Sequence, residues 1–383
     1  MGGPIQGIRN YHNTLVNLGW SRDIVTFEDS NDISNWDFPE SLIIHSLGKA
    51  KTPIAYNNKL SSFLKTNLIN YDVVIIHGLW LYHSYCTMNV FKWLKKNYPD
   101  LILPKLYCFP HGMLDPWFQN EKTRKFKSIR NSIYWHLIEK NVVNYVDGVL
   151  FTCEEERLLA KTTFSGYSPK KDVTVGYGII QPPKHNSKMV DDFVDLCPII
   201  KGERYILFLS RIHFKKGVDL LIESYIQLSI ENSHLPHLVI AGPNDSSYAR
   251  EMILLAKSNP KIHFPGMLRG NEKWGALYEC DAFILPSHQE NFGIAVAEAL
   301  ACRKPVLISN KVNIYREIEQ GCAGFINDDT LEGTILIMNL WFNLSEEKKL
   351  KMGNDAYSVY KKHFTSESAT LNLLKALDSK LFV

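Results

Sequence analysis

The sequence contains no long apolar run, no paired cysteine motif and no low-complexity tract. No stretch of the 383 residues approaches the roughly 20 apolar residues that a membrane-spanning helix needs. The first thirty residues lack a basic segment followed by an apolar one, so no signal peptide is expected. A composition with 45% hydrophobic and 22% charged residues excludes disordered, collagen-like and small disulfide-bonded proteins.

The seven cysteines are spread along the chain, and none forms a C-x-x-C pair. An odd number of unpaired cysteines suits neither a disulfide framework nor a zinc site. Free cysteine is among the most buried residue types, so we expect reduced thiols packed in the core. This usage is typical of a cytoplasmic protein.

Charge is almost balanced, with 43 Lys and Arg against 40 Asp and Glu. The positive excess lies in residues 1–180, which hold 20 basic and 16 acidic side chains. That excess is too small for a nucleic-acid-binding protein. It suits an amino-terminal half that works near an anionic surface.

Short apolar runs alternate with helical patterns along the whole chain. Runs of four to six apolar residues are typical of strands buried on both faces of a parallel sheet. The predicted strands are residues 73–76, 101–108, 148–151, 205–209, 238–241, 262–264, 282–285, 305–309 and 324–326. Their alternation with helices predicts βαβ units.

The strand series occurs twice, separated by a proline-containing stretch at 181–203 that resembles a linker. We therefore predict two doubly wound α/β domains, residues 1–190 and 200–362. A helix capped by Ser345 and a final helix within 363–383 follow, and we expect the last to pack back on the first domain. Ligands bind at the carboxyl ends of such strands, so two facing domains would surround one cleft.

The most informative segment follows the strand predicted to end at residue 285. Glu290 lies in the loop, and Glu298 lies about two turns into a helix. Asn291, Phe292 and Gly293 would present backbone N–H groups at the helix start, an arrangement that suits a diphosphate. Glu298 falls among small apolar residues, where an unpaired carboxylate is costly. An ordinary capped helix with solvated acids is the alternative interpretation.

A second segment carries Arg211, Lys216 and Gly217 after the first strand of the second half. Two cations beside a glycine at a strand-to-helix turn suit a leaving diphosphate. A solvated basic loop is the alternative interpretation of these residues.

Two histidines, His77 and His111, each precede a glycine at a predicted strand end. Such a position can place an imidazole in a cleft, although a lone histidine is more often a structural hydrogen-bond partner. The Gly2-Gly3 pair, ahead of a helical pattern, would let backbone amides approach a phosphate.

These segments, in this order, resemble glycosyltransferase family 4 (group 1), whose members are retaining, nucleotide-sugar-dependent enzymes of the GT-B fold. The 110–114 stretch resembles the bacterial polysaccharide branch. The resemblance implies two Rossmann-like domains facing a cleft and a UDP- or GDP-linked sugar as co-substrate. It implies no cofactor and no metal. It also implies a hexosyltransferase acting on a glycan or lipid-linked acceptor, as in lipopolysaccharide synthesis.

Site residues carried over from the family fall on the quoted motifs. Donor binding is assigned to Gly2, Gly3, Arg211, Lys216, Gly266, Met267, Leu268, Glu290, Asn291, Phe292, Gly293 and Glu298. Catalytic roles fall to His111 beside the reacting carbon, to Glu290 at the sugar hydroxyls, and to Arg211 and Lys216 at the leaving diphosphate. Same-face attack by the acceptor is what the resemblance implies.

Two other functions fit the same fold. A nucleotide-sugar 2-epimerase is an isomerase, and the basic pair with the two spaced glutamates speaks against it. A non-catalytic sugar-nucleotide-binding subunit would be expected to lack Glu290 or His111, and both are present. An NAD-dependent dehydrogenase is the least favoured, because no G-x-G-x-x-G follows a strand.

Residues 121–130 form a basic helical pattern with apolar residues at Phe126 and Ile129. A basic amphipathic helix is typical of membrane-surface binding, so we expect contact with the anionic inner face of a membrane. A solvated helix face is the equal alternative.

The family has a strand ahead of the Gly-Gly loop, whereas here Met1 directly precedes Gly2. We therefore expect the first strand to be missing, either because the true start lies upstream or because the product is defective. A missing central strand would leave two unpaired strand edges beside a hydrophobic gap.

Overall fold

The computed structural model describes residues 3–29, 33, 38–39, 41–121 and 124–377. The chain divides into two compact units. Unit 1 combines Met1–Gly178 with Ser366–Val383, and unit 2 is Ile179–Thr365. The division falls earlier than the predicted boundary between residues 190 and 200. It also separates the last helix from the unit that precedes it in sequence.

Strands and helices alternate in both units. The strands are β1 Asp23–Thr26, β2 Ile43–Ser46, β3 Val73–His77, β4 Lys105–Phe109, β5 Gly148–Phe151, β6 Asp172–Thr174, β7 Tyr205–Leu209, β8 His237–Ala241, β9 Ile262–Gly266, β10 Ala282–Leu285, β11 Val306–Ser309 and β12 Gly324–Asn327. The helices of the first half are α1 Gly3–Asn17, α2 Lys59–Asn67, α3 Tyr82–Asn97, α4 Trp117–Asn120, α5 Lys125–Tyr134, α6 Lys140–Tyr145 and α7 Glu154–Thr163. The later helices are α8 Ser187–Leu196, α9 Val218–Glu231, α10 Ser247–Ala256, α11 Gly270–Glu279, α12 Ile294–Ala301, α13 Tyr315–Gln320, α14 Leu331–Phe342, α15 Glu346–Val359 and α16 Ser366–Leu377.

Unit 1 holds two separate parallel sheets in the part of the chain that the structure describes. One has the order β1-β2, and the other has the order β3-β4-β5-β6. One face of the larger sheet packs against α1 and α16, with Leu15, Leu150 and Leu373 in the core. The other face packs against α2, α3 and α6 through residues such as Leu64 and Val142. Within these residues, β1 and β3 are end strands of their sheets.

Unit 2 is built on one continuous parallel sheet with the order β12-β11-β10-β7-β8-β9. β10 and β11 are buried along their whole length, as their unbroken apolar sequences predict. With the sheets of unit 1, this architecture gives the two parallel α/β units that the sequence predicts.

The predicted linker contains a helix. Asn186 caps α8 by accepting a hydrogen bond from the N–H of Met189 at 3.1 Å. Met189 and Phe193 are buried, and α8 packs closely on α11, where a Cβ at Gly275 would lie 2.0 Å from the Met189 carbonyl oxygen. This packing explains why the stretch after residue 178 belongs to unit 2.

Two smaller predictions need correction. The strand predicted at 101–108 begins only at Lys105, because Pro104 lacks an N–H and cannot donate to a sheet. Six of the seven cysteines are buried, but Cys322 is exposed in a turn, where its φ is +52°.

The cap predicted at Ser345 is confirmed, since its side chain accepts from Lys348 N–H at 3.4 Å.

Candidate functional site

The strand order of unit 2 reverses between β10 and β7. In doubly wound sheets, ligands bind at the carboxyl ends of the strands at such a switch point. The loops after β7 and β10 carry the two main sequence motifs. They lie against each other, since His288 N–H donates to the Lys215 carbonyl oxygen at 2.9 Å.

A short 3₁₀ turn, Phe214–Lys216, shapes the basic loop after β7. The His213 ring caps it by accepting a hydrogen bond from Lys215 N–H at 3.1 Å. Gly217 follows with a φ of +64°, and a Cβ there would lie 2.0 Å from the Pro286 carbonyl oxygen. Only glycine meets both the conformation and the close approach.

Lys216 is buried, and its ammonium pairs with the carboxylate of Glu290. The backbone of Glu290 is fixed on both sides: its N–H donates to Lys311 O at 2.9 Å, and its carbonyl accepts from Asn313 N–H at 3.0 Å. The structure thus brings together the two motifs predicted from sequence. The paired charges lie directly at the switch point between β7 and β10.

Arg211 is exposed in the same loop, and no carboxylate pairs with it among the described residues. Burial, followed by the charges of Arg211, Lys215 and Lys216, lowers the pKa of His213. The imidazole is therefore neutral at neutral pH, and the cations around it repel a further proton. Such a positive field favours an anion.

The α12 helix begins after Gly293, whose φ is +77°. Phe292 is buried, with its ring edge-on to that of Phe364 at 5.5 Å between centroids. The Gly293 carbonyl accepts the first helical hydrogen bond, from Ala297 N–H at 3.1 Å. The first N–H groups of a helix have no acceptor within it, so this end attracts negative charge. Asn291 lies in the same turn.

Glu298 is paired with Lys273 of α11 at 2.7 Å between Nζ and Oε1. The Lys273 ammonium also lies 3.9 Å from the centre of the Trp274 ring. This pairing stabilises a carboxylate amid apolar residues. Sequence spacing did not reveal Lys273, because it precedes Glu298 by 25 residues on another helix.

The donor-binding residues predicted at 266–268 begin at the last residue of β9. Gly266 has a φ of +87°, and its carbonyl accepts from Gly242 N–H at 2.9 Å. Leu268 is buried, whereas Met267 is 52% exposed and offers an apolar surface at the same sheet edge.

His111 belongs to unit 1, and its ring lies beside that of His77. His77 ends β3, and His111 follows the neighbouring strand β4. His111 Nε2 lies 2.9 Å from His77 Nδ1. Burial lowers the pKa of His111 to about 3. Burial and then His111 lower the pKa of His77. Both rings are neutral at neutral pH, so one can donate to the other.

Carboxylates shape the turn around His111, which has a φ of +53°. The buried Glu156 accepts from Gly112 N–H at 2.5 Å. Asp115 accepts from Trp117 N–H at 2.8 Å, an arrangement that suits a structural carboxylate. The role that the resemblance gives His111 stays a prediction.

Gly2 lies outside the described residues, and Gly3 is the first residue of α1. Sequence reasoning also missed Glu139, which is buried in unit 1 and accepts hydrogen bonds from Trp80 N–H and the Ser84 hydroxyl at 2.7 and 2.8 Å. Burial raises the pKa of Glu139 to about 7. It lies in a helical stretch with no motif to mark it.

Within the described residues, no three His, Cys, Asp or Glu side chains are grouped so that they could hold a metal ion. Every described helix is too short or too polar to cross a membrane.

Residues 197–377 match the family model of glycosyl transferases group 1. An uncharacterized glycosyltransferase of Methanocaldococcus jannaschii is 32% identical over 123 residues, which are 32% of this chain and 31% of the relative. A probable sucrose-phosphate synthase of Thermosipho melanesiensis is 28% identical over 298 residues, 70% of either chain. An O-antigen biosynthesis glycosyltransferase of Escherichia coli is 24% identical over 154 residues, 40% of either chain. These matches support a group 1 glycosyltransferase.

Among solved structures, HepE of Anabaena in complex with UDP and glucose has a TM-score of 0.71 at 14% identity. The similarity covers 98% of this chain and 96% of HepE. At this level of identity the likeness establishes the GT-B fold.

Proposed function

We propose that the protein is a retaining glycosyltransferase that moves a sugar from a nucleotide diphosphate to a lipid-linked cell-envelope glycan. The observation that carries this proposal is the pairing of Lys216 with Glu290 at the switch point of unit 2, beside the exposed Arg211. The family match supports transferase chemistry. The UDP and glucose bound by HepE support a uridine nucleotide sugar as donor. The O-antigen relative supports a polysaccharide product.

Charge neutralisation would drive the reaction. Breaking the bond between the anomeric carbon and the diphosphate places negative charge on the leaving group. Arg211 and Lys216 would neutralise it, together with the start of α12. These groups take the part that a metal ion plays in other phosphate chemistry, so we propose catalysis without a metal. The acceptor hydroxyl would attack from the side on which the diphosphate leaves, which retains the configuration.

Two carboxylates, each paired with a lysine, would bind the hydroxyl groups of the donor. Glu290 would accept hydrogen bonds from the sugar, because its pairing with Lys216 already fixes the orientation of the carboxylate. Glu298, held by Lys273, would accept from the ribose. Met267 would offer its apolar surface to the base.

Helix α5 would contact the membrane that carries the lipid-linked acceptor. Its apolar side chains at 126, 129 and 133 are spaced to share one face, and all are exposed. Phe126 is 91% exposed, and Leu137 in the following π-helical turn is 70% exposed. Lys125, Lys127 and Arg130 surround this stripe. An apolar face with basic flanks suits an anionic lipid surface.

The proposal is tested by nucleotide binding and sugar transfer. UDP, GDP and ADP are compared in thermal shift, and the matching nucleotide-sugars are then assayed with a radiolabelled sugar and a polyprenyl-diphosphate-linked acceptor. We expect Glu290→Gln to lower transfer on the order of 100-fold while the fold is retained. Glu347→Gln, an exposed carboxylate on α15, is the matched control and should leave transfer unchanged.

Three results would contradict the proposal. They are full transfer by Glu290→Gln, the absence of any shift with all three nucleotides, and conversion of the donor sugar without transfer. The last result would indicate an epimerase.

A further inference from the structure

A histidine and a carboxylate are paired beside the basic loop of unit 2, and their side chains have no part in the chemistry described above. His288 follows β10, and its Nδ1 lies 2.8 Å from Oδ2 of Asp329, which follows β12. Both side chains are largely buried, with 17% and 24% of their surfaces exposed. We refer to these two residues as the 288–329 pair.

The direction of the hydrogen bond in this pair follows from the surroundings of the ring. His288 Nε2 is buried and has no hydrogen-bond partner among the described residues. A proton on Nε2 would therefore be a buried donor without an acceptor, which is costly, whereas a proton on Nδ1 meets the carboxylate. His288 thus donates from Nδ1 to Asp329.

The 288–329 pair connects two loops that the sheet keeps apart. In the strand order β12-β11-β10-β7, two strands separate the loops that follow β12 and β7. The His288 ring lies against the Phe214 ring, with 4.9 Å between the centroids. Phe214 begins the 3₁₀ turn that ends in Lys216. The His288 imidazole thus contacts both Asp329 and this basic turn.

The basic turn is attached to the loop after β10 by backbone and side chain. The Lys215 carbonyl accepts from His288 N–H at 2.9 Å. The buried Lys216 pairs with Glu290, whose backbone is fixed by the loop after β11. The side chain of His288 adds a link to the loop after β12. The place of the Lys216 ammonium therefore depends on how the turn and these loops are held together.

We propose that His288 and Asp329 are positioning residues, which hold the basic turn so that Lys216 and Arg211 meet a diphosphate. The inference rests on the proposed function only in taking a nucleotide diphosphate as the ligand of the turn. Charge-assisted hydrogen bonds and catalytic positioning both depend steeply on distance. Without the pair, the turn would lose its link to the loop after β12, and the two cations would contact the diphosphate less closely. A nucleoside monophosphate lacks the second phosphate, so its binding would depend less on the turn.

The test compares nucleotide diphosphates with their monophosphates by isothermal titration calorimetry on the full chain. UDP is paired with UMP, GDP with GMP and ADP with AMP. His288→Phe keeps an aromatic ring beside Phe214 but removes the hydrogen bond. We expect it to weaken diphosphate binding about tenfold and to leave monophosphate binding within about twofold.

Two further variants separate the hydrogen bond from the bulk of the ring. Asp329→Ala should reproduce the loss, and the double variant with His288→Phe should add nothing to it, because both changes break one hydrogen bond. His288→Asn, whose amide can still donate to Asp329, should retain most of the diphosphate binding. The melting temperature checks the fold of each variant, and Asp329→Ala decides the question where His288→Phe unfolds.

The matched control is His185→Phe. His185 pairs with Glu279 at 3.0 Å, and its ring lies 5.0 Å from that of Tyr278, so the same kind of pair is removed from the same unit. Glu279 ends α11 shortly before β10 begins, which places this pair at the opposite edge of the sheet. We expect the control to bind all six nucleotides as the unchanged protein does.

Three results would overturn the inference. They are unchanged diphosphate binding in His288→Phe, an equal loss of diphosphate and monophosphate binding, and an unchanged protein that does not prefer any diphosphate to its monophosphate. The transfer assay separates this inference from the proposed function. A diphosphate preference that depends on the 288–329 pair, in a protein that transfers no sugar, would support the inference and contradict the proposed function.

Discussion

The two units use the same parallel α/β design but differ in the continuity of their sheets. In unit 2 six strands pair without interruption, and its central strands are buried. In unit 1, within the described residues, a two-stranded sheet and a four-stranded sheet lie on either side of a cavity. Apolar strands of similar composition therefore differ in burial: β3 is mostly half-buried, whereas β10 is buried along its whole length.

This difference extends to the loops that follow the strands. In unit 2 the backbone of Glu290 is held by two backbone hydrogen bonds to the loop after β11. In unit 1 the turn around His111 has backbone hydrogen bonds of its own, from Met113 N–H to Pro110 O at 3.2 Å. Side chains add to them, with His77 beside the His111 ring and Glu156 on the backbone of Gly112. A continuous sheet can align neighbouring loops through the backbone alone. The turn around His111 uses buried polar side chains as well.

A matched pair of core substitutions gives the largest contrast. Ile240 in β8 is fully buried in unit 2, and Ile75 in β3 is half-buried beside the cavity between the two sheets of unit 1. We expect Ile240→Ala to lower the local free energy of opening by about 4 kcal/mol and Ile75→Ala by about 1–2 kcal/mol, because cavity cost grows with burial. Native-state hydrogen exchange measures each unit separately. Equal losses would show that the divided sheet packs as well as the continuous one.

The exposed apolar stripe on α5 gives the second contrast. We expect the double variant Phe126→Ser, Ile129→Ser to weaken binding to vesicles of anionic and neutral lipid by at least about tenfold, because two exposed apolar side chains that would enter the lipid are lost. Sedimentation with vesicles measures the partition coefficient.

The matched control for this experiment is Leu350→Ser in unit 2. Leu350 is 71% exposed and flanked by lysines, but no apolar stripe continues from it. We expect its vesicle binding to equal that of the unchanged protein. An α5 variant that binds equally well would reject membrane contact through this helix.

Most strands of the fold could be predicted because their burial leaves a continuous apolar pattern. β5, β7 and β10 begin and end at the predicted residues. The strands β1, β2 and β6 were missed because each is short, includes polar residues and has no fully buried position. Apolar runs report burial, so strands that are only half-covered leave too weak a pattern.

The candidate site shows the same limit. The motifs around Lys216 and Glu290 could be predicted to meet because both follow strands of one sheet. Their pairing could not be predicted, because it depends on the strand order that makes β7 and β10 neighbours. The partner of Glu298, Lys273, depends on the packing of α11, which no local pattern shows.

The smallest effect that we expect is a change in how the stability of unit 1 depends on pH. Folding holds His111 at a pKa of about 3, against 6.5 in its unperturbed state. The unfolded chain therefore binds the proton more tightly, so this stability is complete above about pH 6.5 and is lost as the pH falls towards 3. We expect His111→Asn to reduce the pH slope of unit 1 opening below about pH 6.5 by roughly 1 kcal/mol per pH unit. Asparagine tolerates the positive φ at this position.

Hydrogen exchange from about pH 6.5 to about pH 5, corrected for intrinsic rates, measures the slope in each unit. His136→Asn is the control, because His136 is an exposed histidine of the same unit and should leave the slope unchanged. His77, His83 and the charge of Arg22 remain in both variants. Since His111 also lowers the pKa of His77, the difference between the variants includes the loss of that coupling. An unchanged slope in His111→Asn would mean that this imidazole accepts a proton in the folded protein. The turn after β4 would then be open to solvent, and the side chains of unit 1 would not exclude water there.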